Sequence, residues 1–316
     1  MQTVRGPDQA PIAPGNSGDR HEQPIGWRNS IAIVLTALVL AACGAGSSDS
    51  TSGAKSAAVP VPTTQNEASR FLAQSTMGAS QSSISRLSAA GYAIWLDEQF
   101  AIPARSAHQA YLDAVIASLA AGQPAEEKHV MNTFWNQAVS APDQLRQRVA
   151  FALSQIFVIS LQDSNVAEHP RGVAAYLDML GRNAFGNYRD LLEAVTLHPM
   201  MGLYLSHLRN QKESGNRVPD QNYAREVMQL LSIGLYELNA DGTPMLDPNN
   251  NNKPTETYGP DDIAGMSRVF TGFSWAGPDK QDGRFFGNSN PTPDPNREVL
   301  PMQAYPQFHS TSEKRF

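Results

Sequence analysis

Cysteine and basic side chains are both scarce in this sequence, and each shortage excludes a class of protein. Cys43 is the only cysteine, so no disulfide can form within the chain and a single copy has no cysteine-based zinc or iron–sulfur site. Lysine and arginine number 24 against 30 acidic residues, which gives a formal net charge of −6. This balance disfavours nonspecific binding to phosphate backbones, so we predict no nucleic-acid partner.

Long apolar runs and catalytic motifs are also missing. The most apolar stretch, residues 31–42 (IAIVLTALVLAA), is far shorter than the roughly 20 residues that a membrane-spanning helix needs. The sequence contains no glycine-rich phosphate loop, no HExxH zinc motif and no GxSxG nucleophile elbow. With 41% hydrophobic residues the chain can still bury a large core. The sequence therefore predicts a folded protein without fixing a reaction.

Residues 31–42 are typical of the apolar core of a secretory signal peptide. They lead into Leu40-Ala-Ala-Cys43-Gly44, which resembles the lipobox of bacterial lipoproteins. We predict a lipoprotein signal peptide over residues 1–42 and an acylated Cys43 that anchors the mature chain to a membrane. Gly44 favours the outer membrane, on its periplasmic or its surface face. The alternative is an ordinary secretory signal with a chance cysteine at its cleavage site.

The signal and its flanks suggest where the mature folded chain begins. The segment before the apolar run is long and carries three acidic residues, which is atypical of a signal peptide and leaves the true start codon open. Glycine, serine, threonine and alanine dominate the stretch after Cys43, so residues 43–63 are predicted to be a flexible tether. Thr64 followed by Glu67 predicts a capping box at the first helix of the body.

Residues 64–238 are predicted to form a helical domain, and the fold class is mainly α. Apolar residues recur there at spacings of three and four, and no alternating strand pattern competes. Asn187 is the predicted cap of one helix, and Pro199 is predicted to limit the end of that helix. Three side chains that this pattern predicts to be buried are Trp95, Phe100 and Leu230.

Residues 239–316 differ in composition from the helical domain. Ten of the 22 prolines fall between positions 239 and 308, together with an asparagine run and repeated glycine. We predict a loop-rich region with one or two helices, one of them beginning at Gly259-Pro260. Residues 271–275 (TGFSW) are predicted to be an ordered aromatic loop.

Eight blocks of sequence, spread from about residue 67 to the end, together resemble one bacterial family. That family is catalogued as domain of unknown function 1800. The resemblance implies a secreted or envelope protein that is largely helical, and it implies no established activity. The blocks are residues 70–78 (RFLAQSTMG), 91–100, 145–157, 183–192, 198–206, 219–226 (PDQNYARE), 270–275 and 309–314 (HSTSEK).

The chain departs from the family pattern at two places. Gln221 occupies a position where members usually have glutamate, so a chemical role of that glutamate would be impaired here. Family members also continue with a further helical region after the block at 309–314. We therefore expect this chain to be truncated.

The first candidate site lies at the start of the helix that follows Pro219. Asn222 and Glu226 are four residues apart on one polar stripe, and Asp220 and Arg225 lie beside them. This spacing could present carboxylate and amide oxygens to a ligand or a hard cation. The alternative is structural, with Asp220 capping the helix and Arg225 and Glu226 in surface ion pairs. We predict no cofactor, although these oxygens could bind a divalent cation.

The second candidate site combines Glu193 with His198, Tyr204 and His207 around the turn at Pro199. A carboxylate and imidazoles could act as a base or bind a metal if the turn folds them together. The alternative is that these histidines cap a helix end or pack in the core.

Two further polar groups carry weaker signals. His309 and Ser310 belong to a cluster with no positioned base and orienter, so catalysis there is disfavoured. Arg146 and Arg148 are interpreted as ion-pair formers at the edge of the core rather than as an anion site.

Two functions from different classes follow. The first is an envelope lipoprotein that binds a protein or glycan partner through the aromatic, proline-rich loops between residues 239 and 308. The second is a metal-dependent or acid–base envelope hydrolase that uses Asp220, Asn222, Glu226 and His198.

Overall fold

The computed structural model describes residues 60–316. The predicted signal peptide at 1–42, Cys43 and most of the tether at 43–63 lie outside the described residues. Within them the protein is mainly α-helical, as the sequence predicts, with a few two-residue strands in the C-terminal part. None of the helices in this range is long and apolar enough to cross a bilayer.

The helices described here are numbered in chain order. Twelve of the thirteen lie before residue 270, and the last is a short helix within the proline-rich part. They are α1 (Gln65–Ser75), α2 (Gln81–Ala90), α3 (Tyr92–Ala101), α4 (Ala107–Ser118), α5 (Glu127–Ser140), α6 (Gln144–Ile156), α7 (Ser164–Ala167), α8 (Pro170–Asn183), α9 (Tyr188–Leu197), α10 (Pro199–Tyr204), α11 (Asn222–Gln229), α12 (Pro260–Val269) and α13 (Asp282–Phe286).

Side-chain caps fix several helix ends. The Thr64 hydroxyl accepts a hydrogen bond from the Glu67 amide, as predicted, but the Glu67 carboxylate accepts from the backbone and hydroxyl of Thr63 at 2.7 Å instead of completing the box. Asn187 caps α9 by accepting from the Arg189 amide at 2.8 Å. Helix α9 ends at Leu197, directly before the proline-initiated α10, so both predictions about this helix are confirmed.

One cap comes from a distant helix. The carboxylate of Asp178 on α8 accepts hydrogen bonds from the first-turn amides of His108 (3.1 Å) and Gln109 (2.8 Å) on α4. Burial raises the pKa of Asp178 to about 6, because desolvation disfavours its charged form. The bonds satisfy amides that have no partner within α4, and they join α4 to the centre of the fold.

Helix α8 is the centre of the main core. It contacts α4, α5, α6, α7, α9 and α10. Val173, Tyr176 and Leu180 are all buried, and the Tyr176 hydroxyl donates to the backbone oxygen of Phe157 at 2.7 Å. Helix α8 begins at Pro170 and is buried on most of its circumference. It is therefore the element against which the other helices pack.

A smaller core joins α1, α2 and α3 through Leu72, Leu87 and Trp95. Trp95 is buried, as predicted, but two other predictions of burial are wrong. Phe100 is 52% exposed because it lies in the last turn of α3, where its ring packs edge-on against Phe185. Leu230 is 65% exposed because α11 ends at Gln229 and the helical period does not continue.

The chain between α11 and α12 forms an exposed arm, defined here as residues 232–258, whose last residue, Tyr258, packs against the main core. Strand β1 (Leu246–Asp247) pairs antiparallel with β2 (Lys253–Pro254). Three backbone hydrogen bonds join Glu237 to Thr255 (2.9 Å), Thr255 to Met245 (2.8 Å) and Met245 to Glu237 (2.8 Å). These bonds hold the arm in one conformation although none of its residues is buried.

The proline-rich chain after α12 is packed into the molecule. Strand β3 (Phe273–Ser274) pairs antiparallel with β4 (Gln303–Ala304), and a single turn of 3₁₀ helix (Pro306–Phe308) follows. The Tyr305 hydroxyl donates to the backbone oxygen of Trp275 at 2.6 Å, and both side chains are buried. Helix α12 begins at Pro260, and the aromatic loop at 271–275 is ordered, both as predicted.

Candidate functional site

The side chain of Asp220 stabilises the turn that leads into α11. Its carboxylate accepts a hydrogen bond from the Asn222 amide at 2.8 Å and from the Ser206 hydroxyl at 3.2 Å. Its backbone exchanges two hydrogen bonds with the Asn210 side chain, at 2.8 and 3.1 Å. This is the arrangement of an Asx turn, which holds the start of the helix in place.

Glu226 lies one turn further along α11, in different surroundings. It lines an apolar groove of about 250 Å³ together with Met201, Tyr204, Leu205 and Leu230, among others. Neither Asp220 nor Asn222 lines this groove, and Arg225 is exposed. The structure therefore does not bring the carboxylates of the first candidate site into one cavity.

The second candidate site is partly assembled. Glu193 and His198 line one cavity of about 340 Å³, whereas Tyr204 lines the groove beside Glu226. His207 is fully buried, and its Nε2 lies 2.9 Å from the Thr196 backbone oxygen. Stacking of the His207 ring on Tyr223, with 3.9 Å between centroids, makes it a core residue.

His198 caps α10 with one ring nitrogen. Its Nδ1 accepts from the Met200 amide at 3.3 Å, and the edge of the ring meets Tyr176 with 5.0 Å between centroids. Burial, helped by the positive charge of Arg182, lowers the pKa of His198 to about 3. The imidazole is therefore neutral at physiological pH, and its Nε2 has no hydrogen-bond partner among residues 60–316.

Sequence reasoning missed the other polar residues of this cavity. They are Arg182 and Asn183 at the end of α8 and Asp190 on α9. Asp190 and Glu193 are three residues apart on one helix, a spacing that could have linked them to a common face. Arg182 and Asn183 gave no such signal, because they reach the cavity only through the packing of α8 against α9.

Arg148 forms no ion pair within the described residues, so its interpretation as an ion-pair former is wrong, and its guanidinium lies 6.0 Å from the centre of the Phe151 ring. Ser310 and Arg146 have structural partners. The Ser310 hydroxyl donates to the Glu213 carboxylate at 2.7 Å, and Arg268 donates to the same carboxylate at 2.8 Å. Arg146 is buried, donates to two backbone oxygens at 3.0 Å and lies 3.7 Å from the Asp143 carboxylate. These contacts join loops to helix ends, so they are structural. Among residues 60–316, no three histidine, cysteine, aspartate or glutamate side chains are grouped so that they could hold a metal ion.

The comparison with family models agrees with the sequence blocks. The model of the family described as Protein of unknown function (DUF1800) matches residues 70–316, and the chain belongs to that family. No curated protein and no solved structure matches the chain. The resemblance to this family is confirmed.

Proposed function

We propose that this protein is a partner-binding lipoprotein of the bacterial envelope and that the arm is its contact surface. The observation that carries the proposal is the exposure of large apolar side chains along the arm and at its base. Leu235, Tyr236, Leu238, Met245 and Leu246 are all more than 40% exposed, as are Leu230 and Ile233 before them.

Exposure on this scale is unfavourable unless another surface covers it. Single apolar residues on a surface are normal, but a cluster of them on one projecting element marks a contact site or an aggregation hazard. The closed ring of backbone bonds among Glu237, Met245 and Thr255 holds the arm in place before any partner arrives. A preformed contact element loses little conformational entropy on binding, which favours affinity.

The charge of the arm favours a protein as the partner. It carries four carboxylates, of Glu237, Asp241, Asp247 and Glu256, and a single lysine, Lys253. An acidic surface is repelled by anionic lipid and complements an apolar groove that basic side chains border.

The aromatic residues expected to contact the partner lie elsewhere. Trp275, Phe285 and Tyr305 are 4%, 0% and 0% exposed, so the proposal moves the contact surface from the aromatic loops to the aliphatic arm. Tyr236 is the only aromatic side chain of the arm in the exposed class, and a glycan site usually needs a stacking platform of such rings. A glycan partner is therefore less favoured than a protein.

The envelope location rests on the predicted acylation of Cys43. The hydrolase hypothesis also stays a prediction, because Asp220 and Asn222 form a turn while Glu226 and His198 lie in two other places.

Photocrosslinking in cells that produce the full chain tests the proposal. A benzophenone amino acid is placed at Leu238 or Leu246 on the arm, and at Val139 as the control, an exposed apolar residue at the end of α5. We expect one discrete adduct from both arm positions and none from Val139. Mass spectrometry then identifies the crosslinked protein.

Binding of the purified partner makes the test quantitative. We expect the double substitution Leu238→Ser/Leu246→Ser to weaken binding at least about tenfold, which is about 1.4 kcal/mol, without changing the melting temperature. Adducts to lipid alone, adducts to a second copy of this chain, or equal labelling from Val139 would each contradict the proposal.

A further inference from the structure

The cavity that His198 lines has walls from three parts of the chain. Its volume is about 340 Å³, within the range of small-molecule sites, and it lies where α8, α9 and residues 299–301 meet. The Met302 amide donates to the Leu197 backbone oxygen at 2.7 Å and holds the third wall against the end of α9. The cavity is thus built by tertiary packing and not by one mobile loop.

One buried atom at this cavity lacks a partner. His198 is 6% exposed, and its Nδ1 accepts from the Met200 amide, so Nδ1 carries no proton. A neutral imidazole then carries its proton on Nε2, the atom for which the described part of the chain offers no acceptor. An unsatisfied buried donor is costly, by about 1–3 kcal/mol, and such atoms are rare in folded proteins. The site therefore calls for a ligand with an acceptor oxygen.

The charged side chains around the cavity define the rest of the ligand. Arg182 adds a positive charge, which, like the His198 donor, favours a negatively charged ligand group. Asp190 and Glu193 add two carboxylates, which favour a positively charged one. The other lining side chains are mostly apolar, including Met179, Leu197, Val299 and Pro301.

We propose that this cavity binds a small zwitterion of the α-amino-acid type. The carboxylate of the ligand accepts from His198 Nε2 and from Arg182, the ammonium group faces Asp190 and Glu193, and an apolar side chain contacts Leu197 and Val299. The lining contains no tryptophan, tyrosine or phenylalanine on which a sugar could stack, which favours the amino acid over a saccharide of similar size. This site is separate from the arm.

Thermal shift and calorimetry on the purified full chain test the proposal. The probes are the common L-amino acids, followed by two analogues of leucine: 4-methylpentanoate, which lacks the ammonium group, and leucinamide, which lacks the carboxylate. We expect apolar L-amino acids to raise the melting temperature in a concentration-dependent way, as a ligand that binds only the folded state must. Each leucine analogue should bind at least about tenfold more weakly than leucine, because each loses one charged contact.

Variants locate the site. Glu193→Gln should weaken leucine binding about tenfold or more, because the ammonium contact is removed. It should not weaken binding of 4-methylpentanoate, because that anion has no ammonium group and is repelled by the Glu193 carboxylate. Glu168→Gln, at an exposed acid after α7 that does not line the cavity, is the matched control and should change neither. His198→Asn keeps an acceptor for the Met200 amide and removes the Nε2 donor, so it should weaken leucine and 4-methylpentanoate together.

Three results would overturn the proposal. They are the absence of binding by every amino acid, leucinamide binding as tightly as leucine, and unchanged leucine affinity in Glu193→Gln. The Glu193 variant decides the matter even if His198→Asn does not fold, since Glu193 is exposed at the rim of the cavity.

Discussion

Two stretches of this chain share a composition rich in proline, glycine and asparagine, yet their burial is opposite. The arm, residues 232–258, has no buried residue, whereas residues 270–308 bury Trp275, Phe285 and Tyr305. In the second stretch Phe285 also stacks on Phe308 with 3.9 Å between ring centroids. Loop-like composition therefore says little about burial, and large rings determine which loop is folded into the body.

The difference has a physical cause. An irregular chain can be packed only if its backbone groups find partners and its side chains bury enough apolar area. The β3–β4 pairing and the Tyr305–Trp275 hydrogen bond provide both in residues 270–308. The backbone hydrogen bonds of the arm are mostly internal, and the Gly234 amide also donates to the Met228 backbone oxygen at 2.9 Å. The aliphatic side chains of the arm stay exposed.

The largest expected effect is the loss of a ring from the buried stretch. Tyr305→Ala should lower the free energy of unfolding by about 3–5 kcal/mol, because it removes a fully buried ring and its hydrogen bonds. Leu246→Ala, on the arm, should change it by less than about 0.5 kcal/mol. Urea titration followed by circular dichroism measures both values. Similar losses would show that the two stretches contribute equally to the free energy of unfolding, against this comparison.

Acid should destabilise the body through three buried histidines. Burial lowers the pKa of His108, His198 and His207 to about 4, 3 and 4, and the arm contains no histidine. Below the ordinary value of 6.5 the unfolded chain binds protons that the folded chain does not. The contribution of these histidines to the free energy of unfolding is therefore complete above that pH. It decreases as the pH falls, by up to about 1.4 kcal/mol per histidine and pH unit.

Asp178 opposes this trend. Because burial raises its pKa to about 6, its ionised form destabilises the folded state, and that penalty decreases as the pH falls below about 6. The three histidines outweigh Asp178, so the free energy of unfolding should fall by about 3 kcal/mol between pH 7 and pH 5.5. Asp178→Asn should make the loss larger, and a stability that stays constant over this range would contradict the burial of the imidazoles. Chemical denaturation at a series of pH values measures the slope.

A pair of glycines gives the finest comparison of the two stretches. Gly272 and Gly242 have almost the same backbone angle, φ +80° and +83°. Alanine at either position should cost about 1–2 kcal/mol for the left-handed conformation. A Cβ at Gly272 would also lie 2.9 Å from the backbone of His309 and Tyr305, which should add roughly 1–3 kcal/mol, whereas Gly242 in the arm has open space.

Calorimetric melting of Gly272→Ala and Gly242→Ala isolates the packing contribution, because the backbone cost is common to both. Equal melting temperatures would show that the loop around His309 moves aside without cost.

Local patterns predicted much of the helical part. Periodicity and caps identified the helix after Asn187, the proline boundary at 199 and the start of α12 at Pro260. The failures at Phe100 and Leu230 both lie at helix ends, where the period stops and the neighbouring element determines exposure. The candidate sites were less predictable, because Asn222 and Glu226 share a helix face in the pattern but lie in different surroundings. Asn222 belongs to the turn with Asp220, whereas Glu226 lines an apolar groove.

The sequence by itself determined the helical class, the family and the absence of disulfides, because periodicity, long ordered blocks and cysteine count are properties of the chain alone. Only the tertiary structure decided that Trp275, Phe285 and Tyr305 are interior, that the arm is exposed, and that His198 and Glu193 share a cavity with Arg182. Burial depends on which residues far apart in the sequence pack together, and no local sequence pattern determines that.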